Sequence, residues 1–142
     1  MLREALLFLS ESHLFRRIAR DFPFAQSAAR RFVAGESIDD AVEAARALNR
    51  AGMTVTLDYL GESVRSRDEA RAAADVYLQL LDRIATERLD ANVSLKLTQM
   101  GQDIDDEFLR ENVGRVLDRA RELDIFVRFD MESSAYTQRT LD

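Results

Sequence analysis

Three short stretches decide the fold. They read Met-Thr-Val-Thr-Leu-Asp-Tyr-Leu at residues 53–60, Asn-Val-Ser-Leu-Lys-Leu-Thr at 92–98, and Ile-Phe-Val-Arg-Phe-Asp-Met at 125–131. Each stretch is rich in β-branched, aromatic or aliphatic residues and is short enough to be a strand. Apolar residues at helical spacing fill the intervals between them. Strands that alternate with long helices predict βα units and a parallel sheet, so the expected fold class is α/β.

The helices are marked by their ends. Ser37 and Asp40 begin a helix that Gly52 closes, because glycine enters the left-handed conformation without strain. Ser66 with Glu69 forms a capping box that opens the next helix. Residues 105–123 form a third helix, and 134–142 begin a last one. The expected organisation is an amino-terminal helical segment at residues 1–51, followed by the first βα units at 52–142.

All three strands alternate an apolar face with a mostly polar face. A parallel strand that helices cover on both sides usually reads as a continuous hydrophobic run. The alternation therefore favours a barrel whose apolar outer face meets the helices and whose inner face is polar enough to hold a ligand. The alternative is that the polar side chains only satisfy one another in a small layer.

Three charged residues lie near the carboxyl ends of the three strands. Asp58 precedes Lys96 by 38 residues, and Asp130 follows Lys96 by 34. A lysine in an apolar run is costly to bury unpaired, so pairing with both carboxylates is expected. The cluster is either a structural network or a site for an anionic or zwitterionic ligand. An amino acid requires both signs of charge, and this cluster supplies both. Glu62 follows in the loop after the first strand.

Composition excludes several classes of function. The 142 residues are 46% hydrophobic and 32% charged, with a net charge of −6, which argues against a nucleic-acid interface. No cysteine is present and His13 is the sole histidine, so no metal site is expected. No stretch resembles a signal peptide or membrane span, which predicts a cytoplasmic protein. An early group of arginines predicts solvated helix faces, with contact to an anionic membrane as the alternative: Arg16, Arg17, Arg20, Arg30 and Arg31.

Four segments resemble the proline dehydrogenase family in order and spacing. They are residues 56–62 (Thr-Leu-Asp-Tyr-Leu-Gly-Glu), 93–101 (Val-Ser-Leu-Lys-Leu-Thr-Gln-Met-Gly), 128–132 (Arg-Phe-Asp-Met-Glu) and, ahead of the barrel, 31–36 (Arg-Phe-Val-Ala-Gly-Glu). The resemblance runs from about residue 25 to the end and is to the amino-terminal half of the monofunctional bacterial enzymes.

The resemblance implies a partial, distorted (βα)8 barrel that binds FAD, oxidises L-proline to pyrroline-5-carboxylate and passes electrons to a quinone. By the same resemblance, Lys96 would bind the proline carboxylate and Asp58 would line the substrate site. Asp130 would be the catalytic residue, Met131 would touch the flavin, and Glu62 would form an ion-pair gate with an arginine from a late helix.

A complete (βα)8 barrel takes about 250 residues, and three βα units are recognisable here. The sequence leaves three expectations open: a longer chain, copies that complete one another's sheet as a homo-oligomer, or a fragment without activity. Further expectations from the resemblance are transient contact with a pyrroline-5-carboxylate dehydrogenase and peripheral attachment at the inner membrane face. The alternative function is a non-catalytic amino-acid-binding or assembly module derived from the same barrel.

Overall fold

The computed structural model describes residues 33–61 and 64–141. Their helices and strands, in chain order, are α1 (Ile38–Arg50), β1 (Val55–Asp58), α2 (Arg67–Thr86), β2 (Ala91–Leu95), α3 (Asp106–Glu122), β3 (Val127–Phe129) and α4 (Thr137–Leu141). Strands and helices alternate from β1 onward, as the sequence predicts. The predicted helices before residue 33 and the early group of arginines lie outside the described residues, so the predicted division into two segments stays a prediction.

The three strands form one parallel sheet in the order β1-β2-β3. Thr56 pairs with Asn92, and Asp58 pairs with Ser94. Ser94 in turn pairs with Arg128. Because the strands are parallel and nearly in register, their carboxyl ends meet at one edge of the sheet.

Helices α2 and α3 pack against each other, and α2 packs on β2. The apolar face of the sheet supplies Val93 and Leu95, both fully buried. Burying one such side chain stabilises the fold by roughly 1.5–3 kcal/mol. The helices supply the largest share of the core, namely Ala70, Ala73, Ala74, Tyr77, Leu80, Leu81, Ile84, Phe108, Val116 and Ala120.

The predicted helix ends are confirmed. The Asp40 backbone N–H donates to Ser37 Oγ, and the Ser37 N–H donates to the Asp40 carboxylate. Gly52 has φ +79°, the left-handed conformation that ends α1. At α2, the Glu69 N–H donates to Ser66 Oγ, while the Glu69 carboxylate accepts from the Arg65 N–H, one residue earlier than in the usual box.

The strands are shorter than predicted, and β2 shows why. It ends at Leu95, because the chain then turns back on itself: the Gln99 N–H donates to Lys96 O at 3.1 Å. Thr98 was expected on the polar face of a continuing strand, but it lies in this turn and is fully buried. The predicted alternation of faces therefore holds up to Lys96 and fails beyond it.

The polar face of the sheet carries a row of hydrogen bonds across all three strands. Thr56 Oγ1 donates to Asn92 Oδ1 at 3.0 Å, and Arg128 Nε donates to the same oxygen at 3.1 Å. Thr56 and Asn92 lie on the same face as Asp58 and two residues nearer the amino ends of their strands, and Arg128 reaches Asn92 from the level of Asp58. Among the described helices, none is long and apolar enough to cross a membrane.

Candidate active site

The candidate site lies at the carboxyl edge of the sheet. Asp58 is the last residue of β1, while Lys96 and Asp130 directly follow β2 and β3. The Asp130 backbone N–H donates to Leu95 O at 2.9 Å, which extends the ladder by one bond and fixes the start of the loop. In parallel βα folds this edge carries the chemistry, since the βα loops meet there.

Lys96 lies between the two carboxylates. Its Nζ is 2.8 Å from Asp58 Oδ2 and 2.9 Å from Asp130 Oδ2. The exposed fractions of the side chains are 17% for Lys96, 33% for Asp58 and 47% for Asp130. The pairing expected from the strand ends is thus confirmed, while the individual roles of these residues stay predictions.

The cluster carries one more negative charge than positive charge, because one lysine faces two carboxylates. Burial alone would lower the Lys96 pKa, but its hydrogen bonds to Asp58 and Asp130 outweigh that effect and raise the pKa above its ordinary value. Lys96 is therefore cationic at neutral pH and faces two carboxylates. Such a site favours a ligand that brings a cation of its own together with an anion for Lys96.

Two buried residues support this edge from beneath, and the pattern of the strands does not point to either of them. Tyr77 is fully buried in α2, and its hydroxyl donates to Ser94 O at 2.8 Å with Asp58 Oδ1 at 3.3 Å. Gln99 is 1% exposed and donates to Tyr59 O at 3.1 Å. The one available signal was that a tyrosine within a core helix needs a partner for its hydroxyl.

A second carboxylate interaction joins the ends of β2 and β3. Glu132 accepts a hydrogen bond from Thr98 Oγ1 at 2.5 Å and another from the Thr98 N–H at 3.1 Å. This link holds the segment that carries Asp130 and Met131 against the turn after β2. The Met131 side chain stays 52% exposed beside the cluster. Glu62, the predicted gate residue, lies outside the described residues.

Comparison with known proteins identifies the family. The sequence profile of the family described as "Proline dehydrogenase" matches residues 41–142. Proline dehydrogenase 1 of Bacillus subtilis subsp. natto is 38% identical over 99% of this chain, and that alignment covers 46% of the relative. Proline dehydrogenase of Deinococcus radiodurans is 33% identical with the same coverage. The chain thus spans about half the length of the curated relatives it matches.

A solved structure agrees with these matches. Proline utilization A from Bdellovibrio bacteriovorus, in a crystal structure of the protein inactivated by N-propargylglycine, superposes with a TM-score of 0.76 at 25% identity. The superposition covers 90% of this chain and 16% of that one. The expectation of a partial (βα)8 barrel is confirmed, with three strands of its parallel sheet described here. The chain belongs to the proline dehydrogenase family.

Proposed function

We propose that the protein is an FAD-dependent proline dehydrogenase, which oxidises L-proline to pyrroline-5-carboxylate and passes the electrons to a quinone. The observation that carries the proposal is Lys96, held between Asp58 and Asp130 at the carboxyl edge of the sheet in a chain of this family.

The charges of the cluster suit an amino acid. Lys96 provides the cation for the substrate carboxylate, and because its charge is mostly inaccessible to water, that interaction is stronger than at the surface. The two carboxylates exceed the lysine charge by one unit, which matches the ammonium group of a zwitterion. A simple carboxylic acid would meet the same surplus negative charge without bringing a cation, and it is expected to bind more weakly.

The same surplus charge serves the oxidation. L-proline is bound mainly as an ammonium ion, and the amine must lose a proton before the adjacent carbon releases hydride. Asp130 is the more exposed of the two carboxylates, and we assign it the role of catalytic proton acceptor. FAD, when bound, supplies the hydride acceptor. From the ammonium form, loss of the first proton gives the ring amine, loss of hydride gives the protonated imine, and release of a second proton to water gives the imine of pyrroline-5-carboxylate.

The described residues fit one side of a flavin site. Met131 directly follows Asp130 and leaves half of its apolar side chain exposed, as a contact for a flat ring system requires. Lys96 and Asp58 hold the substrate from the neighbouring strands. The chain spans 46% of the length of its curated relatives, so these residues account for one part of the proposed flavin site.

The proposal extends to roles that rest on the family resemblance. Glu62 is the gate residue, and it closes over the substrate by pairing with an arginine. The protein is cytoplasmic and meets its quinone at the inner face of the membrane. It releases pyrroline-5-carboxylate to a dehydrogenase specific for that product. Self-association is part of the same proposal.

The test uses the natural protein that contains this sequence, purified and kept free of oxygen. We expect a yellow sample whose flavin absorbance bleaches on addition of L-proline and not with D-proline, which carries the same groups in the opposite arrangement. A yellow sample that L-proline leaves unchanged would refute the proposal. A colourless sample that binds L-proline would instead indicate an amino-acid-binding module, and one that ignores it but self-associates would indicate an assembly module.

A further inference from the structure

The hydroxyl of Tyr77 meets four groups beneath the site. It lies 2.8 Å from Ser94 O, 3.3 Å from Asp58 Oδ1 and 3.4 Å from Gln99 Oε1, and it accepts a hydrogen bond from the Tyr59 N–H at 3.3 Å. The single hydroxyl proton has three acceptors within reach, and the nearest of them is Ser94 O. A fully buried helix side chain thereby joins the end of β1 to the end of β2.

Gln99 binds the backbone carbonyl group of Tyr59. Its Nε2 donates to Tyr59 O at 3.1 Å, while Tyr77 accepts from the N–H of the same residue. Both backbone polar groups of Tyr59 are therefore bound by buried side chains. The Tyr59 ring also meets the Tyr77 ring edge to face, with centroids 6.4 Å apart and planes at 85°.

Gly61, two residues after Tyr59, also lies close to the Gln99 side chain. A Cβ atom added at Gly61 would lie 2.7 Å from Gln99 Nε2, and Gly61 has φ +151°. A side chain at position 61 would displace the amide, so glycine is required by the close approach. The next residue in the sequence is Glu62, the proposed gate.

We propose that Tyr77 and Gln99 are positioning residues for the substrate site. They fix the Asp58 carboxylate and the Tyr59–Gly61 backbone, and through Asp58 they set the position of Lys96. The consequence for proline binding rests on the function proposed above, whereas the hold on the backbone does not.

A purely structural role predicts a different outcome. If Tyr77 and Gln99 only filled the core, their replacement would lower overall stability. Its effects on the local backbone and on the Michaelis constant would then be no larger than those of any other core substitution. A positioning role predicts a local effect at residues 59–61 and a change in KM for proline with little change in kcat. The difference arises because Lys96 loses its fixed partner while the flavin chemistry is untouched.

The experiment compares Tyr77→Phe and Gln99→Met in the natural protein that contains this sequence. Both variants keep the shape of the side chain and remove its hydrogen bonds. Ile84→Val is the matched control, because Ile84 is buried in the same helix as Tyr77 and has no polar side-chain atoms. Amide hydrogen exchange is measured over residues 58–65, and KM and kcat are measured with L-proline.

We expect exchange of the Tyr59 amide, which donates to Tyr77, to accelerate by about tenfold in Tyr77→Phe relative to the control, and by less in Gln99→Met, which releases only the Tyr59 carbonyl. We expect KM for L-proline to rise by about threefold to tenfold with kcat nearly unchanged. Exchange that matches Ile84→Val would overturn the positioning role. A wild-type protein that does not oxidise L-proline would refute the proposed function, and the exchange measurement would still decide this inference.

Gly61→Ala is a second variant that leaves the core side chains in place, and it serves if Tyr77→Phe or Gln99→Met unfolds. The added methyl group would lie 2.7 Å from Gln99 Nε2 and would displace it, although Gln99 itself is unchanged. We expect faster exchange of the Tyr59 amide and the same rise in KM. A Gly61→Ala protein with unchanged exchange and unchanged KM would contradict the role of Gln99.

Discussion

Lys96 is bound by two carboxylates that differ in their own support. Asp58 ends a strand, is the less exposed of the two and lies 3.3 Å from the Tyr77 hydroxyl. Asp130 begins a loop and leaves 47% of its side chain exposed. The first is suited to hold Lys96 in place, and the second is suited to exchange a proton with a ligand. This asymmetry is the residue-scale basis for assigning substrate binding to one and proton transfer to the other.

The asymmetry predicts unequal effects on stability. Asp58→Asn should lower the free energy of unfolding by about 1–2 kcal/mol, because it weakens a charged hydrogen bond in the less exposed position. Asp130→Asn should lower it by less, because water already screens that side chain. Urea unfolding of both variants measures the order. An equal loss, or a larger loss for Asp130→Asn, would contradict the assignment.

Tyr77 predicts a pH dependence of stability. Burial raises its pKa well above the ordinary value, so the folded protein keeps the proton after the unfolded chain loses it near pH ~10. The stability contributed by Tyr77 is complete below that pH and is lost as the pH rises toward the folded-state pKa. Over that range the free energy of unfolding should fall by about 1.4 kcal/mol per pH unit from this group.

The control for that slope is Tyr77→Phe, which cannot ionise. Urea unfolding between about pH 9 and 11 in both proteins gives the difference, and titration of the other groups cancels. We expect the two curves to converge as the pH rises. Curves that remain parallel would show that Tyr77 ionises equally in both states.

At the scale of elements, α2 and α3 lie side by side and are joined by ion pairs along their length. Arg115 is 2.6 Å from Asp75, and Arg119 is 2.6 Å from Asp82. These pairs are largely exposed and contribute roughly 0–1 kcal/mol each. The alignment of the helices therefore depends mainly on the apolar core beneath them. That alignment places Tyr77 under the ends of β1 and β2.

Two glycines near α3 give opposite predictions. Gly101 has φ +107°, and an added Cβ would meet the Phe108 ring at 3.0 Å. Gly114 lies inside α3 with nothing within 4 Å of an added Cβ. Gly101→Ala should therefore lower the free energy of unfolding by about 1–3 kcal/mol. Gly114→Ala should raise it by roughly 0.5–1 kcal/mol, since alanine loses less backbone entropy in a helix.

Thermal or urea unfolding of the two alanine variants checks this pair, and each serves as the control for the other. A stabilised Gly101→Ala protein would show that the turn before α3 can relax without cost. A destabilised Gly114→Ala protein would show that this position of α3 meets a neighbour beyond the described residues.

The sequence predicted the ends of the helices better than the ends of the strands. Local signals such as Ser66 with Glu69 and Gly52 depend on neighbouring residues alone, and they are confirmed. The end of β2 depends on a turn stabilised by contacts across the sheet, which a linear pattern does not contain. The alternation within the strands predicted that Asp58, Lys96 and Asp130 lie at one edge of the sheet. It could not reveal Tyr77, because a helical period shows that a residue is buried and not which strand its hydroxyl reaches.

At the scale of the whole molecule, the described sheet supplies one sector of a barrel. Phe126 and Phe129 at β3 are 65% and 42% exposed. In a closed (βα)8 barrel every strand has two neighbours, and such residues are covered. The chain covers 46% of its curated relatives, so the substrate site proposed here is the part of the site that β1, β2 and β3 provide. The proposed role of Lys96 in that site is to bind the substrate carboxylate.

Removal of the substrate carboxylate tests the proposed role of Lys96. L-prolinamide carries the amine and the ring of proline but replaces the carboxylate by an uncharged amide. The ratio of kcat/KM for L-proline to kcat/KM for L-prolinamide is compared in the natural protein and in Lys96→Met. We predict a preference for L-proline of at least about thirtyfold in the natural protein and its near-complete loss in Lys96→Met. A variant that oxidises L-proline with an unchanged preference would contradict the account.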